Sequence, residues 1–182
     1  RVTVPPLDYL MIDGEGDPNT AESYARTLEA LYAMSYAAKF ASKLILERDY
    51  VVGPLEGLWH SARMESFIDR SKNEWQWTMM IRQPGWLTDE IRDAAREKAQ
   101  KKQLPAEPLA RWQQLDEGDC VQILHIGSYD DEGPTLARLH TEYLPANGLV
   151  ENGLHHEIYL GDPRRVEAAK LKTVLRQPVR PI

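Results

Sequence analysis

The chain has 182 residues, which fits one domain, or two halves sharing a core, and is enough to bury a core without staples. Its formal net charge of −6 argues against phosphate-backbone binding, which needs a basic face. One cysteine, Cys120, excludes an internal disulfide and fits a reducing, cytoplasmic setting, and no apolar run is long enough to span a membrane. Neither nucleic acid nor a membrane is therefore expected as a partner.

The start, Arg1-Val2-Thr3-Val4-Pro5-Pro6, lacks the apolar stretch of a signal peptide and an initiator methionine, so a processed or trimmed N-terminus is expected. Tyr9 to Asp13 reads as a strand closed by the turn Gly14-Glu15-Gly16-Asp17-Pro18. Asn19, three residues before Glu22, predicts a capping box and a long helix to about Leu46. Tyr24, Leu28 and Leu31 mark one face of it, and Ala25, Tyr32, Tyr36 and Phe40 an adjoining one, so cover on more than one side is predicted.

After Gly53-Pro54, Leu55 to His60 reads as a strand, and Trp75 to Ile81 as another with Trp75, Trp77, Met79 and Ile81 on one face. Thr88 caps a second helix that begins with Asp89 and Glu90 and ends among Lys98, Lys101 and Lys102, a solvated helix end rather than a nucleic-acid patch. Leu104 to Pro108 reads as a linker dividing halves of about 7–103 and 109–182 within a single domain. Ala110 to Leu115 and Cys120 to Ile126 read as strands joined by the turn Asp116-Glu117-Gly118. Gly133-Pro134 opens a third helix with Leu136, Leu139, His140 and Tyr143 on its buried stripe, and two strands follow, His155 to Leu160 and about Leu171 to Leu175.

The order strand, helix, strand, strand thus occurs twice, and Ile81-Arg82-Gln83-Pro84 returns as Leu175-Arg176-Gln177-Pro178 at the last strand of each half. The predicted class is α+β: a duplicated βαββ unit related by a pseudo-two-fold axis. Its sheet is antiparallel, with helices on one face and a ligand groove between the halves.

Five tryptophans and eight tyrosines suit flat, apolar or cationic ligands. In His155 to Leu160, alternation puts His155, Glu157 and Tyr159 on one face, and a carboxylate in mid-sheet is costly unless paired or serving a ligand. Glu157 could equally be an exposed strand residue or pair with Arg164 or Arg176. Glu56 has a comparable position in the first half, with a structural role as the competing reading. Trp59, Trp77 and Trp86 are either core filling or ligand walls. Tyr36 and Tyr129 are the best-placed hydroxyl donors. No metal is expected, because His155 and His156 point to opposite faces and no third ligand has fitting spacing.

Several stretches resemble the stand-alone branch of the GyrI-like family: Met11-Ile12-Asp13-Gly14-Glu15-Gly16-Asp17-Pro18-Asn19, Pro54 to Trp59, Trp77 to Pro84, Leu124 to Glu132 and His155 to Pro163. The resemblance implies the duplicated fold with a ligand between its repeats. It also implies kinship with drug-responsive sensor domains, gyrase-protecting proteins and hydrolases that open the cyclopropane of spirocyclopropyl-dienone DNA alkylators within an aromatic cage. His60 departs from it, standing where the branch usually carries a second aromatic. On this resemblance Glu157 matches the acidic residue at the pocket floor, and no cofactor is needed. Glu157 is expected to be the base, its pKa raised by aromatic surroundings, with Tyr129 or Tyr36 as donor. Trp59, Trp77, Trp86, Tyr36, His60, Glu56 and Tyr159 would bind the substrate. The alternative is a non-catalytic protein that sequesters lipophilic or cationic drugs, with Glu157 as counter-charge.

Overall fold

The computed structural model describes residues 1–61 and 71–182, apart from the side chain of residue 61. The chain forms two compact units, Leu7–Leu115 and Arg1–Pro6 with Asp116–Ile182.

In the first unit the strands are β2 (Leu7–Glu15), β3 (Leu55–Ser61), β4 (Trp75–Gln83) and β5 (Arg111–Leu115), following β1 (Val2–Val4) in the chain. They pair antiparallel in the order β3-β4-β2-β5. Strand β2 runs further than the sequence suggests, because Gly14 is a strand residue, not part of the turn. It stands opposite Trp77, and a Cβ there would lie 2.0 Å from that indole. The reversal comes at Gly16, whose φ of +101 suits glycine.

Helix α1 (Glu22–Ile45) starts after Ala21 without a side-chain cap, so the Asn19 capping box does not form. Asp17 instead holds a turn, accepting from the backbone of Asn19 with its side chain and from Ala21 with its carbonyl. The buried side of α1 carries small residues, among them Ala30, Ser35, Ala37, Ala38 and Ser42. They allow close packing against α2 (Asp89–Lys101), where Ala37 and Ala38 meet Leu87, Ile91 and Ala95. The second expected apolar stripe is not covered, since Tyr36 and Phe40 are exposed. The segment read as a linker is pinned instead: Glu107 is buried and accepts from Arg96 at 2.7 Å.

The second unit holds β1, β6 (Gly118–Ile126), β7 (Leu149–Glu151), β8 (His155–Tyr159) and β9 (Lys172–Pro181). Strand β9 pairs antiparallel with β6, β8 and β7, and β1 pairs with β6. The expected hairpin across Asp116-Glu117-Gly118 does not form, because β5 belongs to the first unit beside β2. Helix α3 (Gly133–Arg138) passes into a π turn at Leu139–Tyr143. That turn moves the buried stripe from i+4 to i+5, so Leu144 is buried while Tyr143 is exposed. Pro145 suits the change, as it has no N–H to give the carbonyl four residues back.

Both units therefore run strand, helix, strand, strand, with the last strand between the other two.

Candidate functional site

Residues directly opposite in an antiparallel pair share a face. In the second unit this puts Glu157, Leu175 and Ile123 on one face, beside Tyr159, Thr173 and His125. The Tyr159 hydroxyl donates to Glu157 Oε2 at 2.7 Å, and His155 Nε2 lies 3.4 Å from Oε1. Glu157 is thus oriented by groups on its own strand, with no pairing to Arg164 or Arg176. Tyr129, at a short 3-10 turn, sets its ring edge against Tyr159 at 5.5 Å and is 38% exposed. Ile123, on the same face, is 49% exposed and gives the site an accessible apolar border.

The structure adds a residue the sequence reading missed. Glu132, immediately before α3, is 4% exposed, and its Oε1 is buried without a hydrogen-bond partner. Burial, and then the charge of Glu157, push its carboxyl up to about 8, with Asp130 adding and Thr173 opposing. At neutral pH this is mostly a neutral carboxylic acid. Its place in the run Asp130-Asp131-Glu132 suggests solvated acids at a helix start.

The opposite face of β8 carries a separate polar cluster. His156 Nδ1 and the Arg176 guanidinium each lie 2.8 Å from an oxygen of buried Glu117. Burial alone would raise Glu117, but the bonds and charges of His156 and Arg176 outweigh it and lower its pKa.

In the first unit Trp59 and Trp77 stand directly opposite on β3 and β4. Trp59 is buried and meets Trp75 edge-on at 5.7 Å. Trp77 is framework: it fills the space left by Gly14, donates to the Gly16 carbonyl at 3.3 Å, and packs edge-on with Tyr24. Trp86 is not brought to them. It lies beyond the far end of β4, six residues or roughly 20 Å of strand past Trp77. There the Arg48 guanidinium stacks on it at 3.9 Å and Tyr50 meets its edge.

Glu56 faces the other way from Trp59, opposite Met80, and accepts from Tyr9 at 3.0 Å. Aligning the two Arg-Gln-Pro strand ends shows why it does not mirror Glu157. Leu175 faces Glu157, whereas Ile81 faces Leu55, so Leu55 corresponds to Glu157 and Glu56 to Ile158. His60 lies on the face of Glu56, where its charge helps to lower Asp13 after Thr78 and Arg111 have outweighed burial. Tyr36 is 47% exposed on α1. Among the described residues no group of three His, Cys, Asp or Glu could hold a metal, and no helix is long and apolar enough to cross a membrane.

The model of the GyrI-like small molecule binding domain matches residues 2–180. A conserved protein of uncharacterized function from Listeria innocua is similar at 38% identity and a TM-score of 0.88, covering 98% of this chain and 90% of that one. A hydrolase from Listeria innocua is similar at 35% identity and a TM-score of 0.83, with the same coverage. The C-terminal domain of EcmrR shares the fold at 12% identity and a TM-score of 0.60, covering 100% of this chain and 96% of that domain. No curated protein sequence matches.

Proposed function

The chain belongs to the GyrI-like small molecule binding domain family, and from that premise we propose that it is a cofactor-free hydrolase. Its substrates are spirocyclopropyl-dienone alkylators, which it detoxifies by opening the cyclopropane. The likeness to a hydrolase at 35% identity over most of both chains supports an enzyme. The observation that carries the reading is the setting of Glu157, a strand carboxylate that accepts from the Tyr159 hydroxyl at 2.7 Å with His155 Nε2 at 3.4 Å.

In the reaction, water oxygen bonds to the cyclopropane methylene while one ring C–C bond breaks. That electron pair moves through the dienone to its carbonyl oxygen, leaving an aromatic phenolate. Glu157 takes the proton from water, Tyr129 gives one to the phenolate oxygen, and solvent restores both groups. The product is the substrate plus one water.

The test is incubation of the protein with a cyclopropyl-dienone alkylator, followed by product analysis. The ring-opened alcohol is expected, and Glu157→Gln should keep most affinity while losing about 10²–10⁴-fold in rate, as general-base removal does. Native protein that holds the alkylator intact for hours would make this a sequestering protein. Unchanged turnover in the variant would remove Glu157 as base.

A further inference from the structure

The first unit holds a cavity that shares no residue with the Glu157 site. Asp8 stands opposite Gln83 on β4 and opposite Gln114 on β5, so the three side chains form a row on one face of the sheet. Trp112, two residues before Gln114, is on the same face. Leu87, just before α2, and Arg92, in its first turn, meet the same space. These six are among the residues lining a cavity of about 100 Å³. That is several times the ~10–15 Å³ that one water needs, and well below the ~300 Å³ at which drug-sized sites begin.

The polar groups on its walls are unsettled. Arg96, one turn beyond Arg92 on α2, is fully engaged: it donates to Glu107 Oε1 at 2.7 Å and to the Ala110 carbonyl at 2.8 Å. Arg92 has only a 3.4 Å contact from Nη1 to Asp89, whose side chain is 92% exposed, and such a pair adds little. Its Nε is buried with no hydrogen-bond partner, and so is Nε1 of Trp112, over whose ring the Arg92 guanidinium lies at 5.7 Å. Each of these N–H groups has given up water without gaining an acceptor. Among the described residues Asp8 makes no ion pair, and its carboxylate accepts only a long bond from Gln114 Nε2 at 3.4 Å. One cavity thus has an unneutralised carboxylate, a weakly held guanidinium and two orphan donors on its walls.

We infer that this cavity binds a small zwitterion of the α-amino acid class, independently of the hydrolase reading. The carboxylate accepts from Arg92 and from the Trp112 N–H, and the ammonium donates to Asp8. With Nη1 turned to Asp89, the Nε–Nη2 edge of Arg92 is the unengaged one, and such an edge matches the two oxygens of a carboxylate. A plain carboxylate would bring a second negative charge to Asp8, and a plain amine a second positive charge to Arg92. A ligand with both charges answers both walls. The small volume restricts its side chain to that of glycine or alanine.

The test is a titration of the native protein with glycine, acetate and methylammonium, followed at the indole N–H resonance of Trp112, which is identified by its loss in Trp112→Phe. Glycine should shift that resonance saturably and bind about tenfold or more tightly than either fragment, since each fragment makes half of the charged contacts. Arg92→Gln and Asp8→Asn should each weaken glycine about tenfold or more, while Asp8→Asn should leave acetate binding no weaker than in the native protein. Acetate or methylammonium binding as tightly as glycine would make this a single-charge site and overturn the proposal. Equal glycine affinity in the native protein and both variants overturns it as well. A Trp112 signal that glycine does not shift saturably leaves the cavity to water alone. The comparison of the three probes needs only native protein, so it decides even where a variant does not fold. Alkylator turnover, which tests Glu157, is read separately.

Discussion

At the scale of single residues, unusual placement was legible where alternation exposed it and illegible where burial created it. Glu157 stood out because a carboxylate on the inner face of a strand contradicts the pattern around it. Glu132 did not, because an acid before Gly-Pro obeys every local rule for a helix start. Glycine is a similar case. Gly14 looked like half of a Gly-x-Gly turn, and only the β2–β4 register shows that its missing side chain is where Trp77 lies. Gly14→Ala should therefore destabilise by about 1–3 kcal/mol or more, the cost of overpacking a filled core, with a change in near-ultraviolet tryptophan signals. Gly133→Ala, where an added methyl meets nothing within 4 Å, is the control. Equal urea midpoints for the two variants would mean that Trp77 moves aside without cost.

At the scale of elements, strand positions were read well and partners less well. Period-2 alternation reports a strand's faces, but nothing in Arg111–Leu115 says that β5 pairs with β2 rather than with β6. The helices show a related limit: aromatic residues on α1 promised a covered face, yet its contact with α2 is made by alanines. In α3 the π turn shifted the stripe by one residue, which a 3.6-residue template cannot anticipate. The Arg-Gln-Pro echo proved structural. Gln83 is buried and donates to Ser35 Oγ at 2.9 Å, tying β4 to α1, while Gln177 donates to the Gly153 carbonyl at 2.9 Å. Gln83→Leu removes the donor to the Ser35 hydroxyl and the nearer of two acceptors of Tyr50, so a loss of about 1–3 kcal/mol is expected in chemical denaturation. A loss below that range would mean that the echo is incidental to the fold.

At the scale of the whole molecule, carboxylates pull stability in opposite directions along the pH axis. Glu117 and Asp13 are held below the ordinary range by their cationic and hydroxyl partners, so what they contribute is present above the unfolded value and is lost as pH falls through the folded one. Glu132 is raised, so its contribution is complete below about 4.5 and disappears as pH climbs through about 8. Together they place the maximum of thermal stability on the acid side of neutrality, at about pH 5. Glu117 governs the acid limb, because it is the buried carboxylate that neutralises the largely covered Arg176 while also holding His156. Glu117→Gln leaves that guanidinium uncompensated, which costs about 3–5 kcal/mol for a buried pair broken on one side. The same variant should show a shallower decline below pH 4.5, since the group whose protonation drives it is gone. Thermal unfolding from pH 3 to 9 checks both effects at once. If Glu117→Gln matches the native protein at pH 7, or declines as steeply in acid, the His156–Glu117–Arg176 cluster does not set the acid stability of this fold.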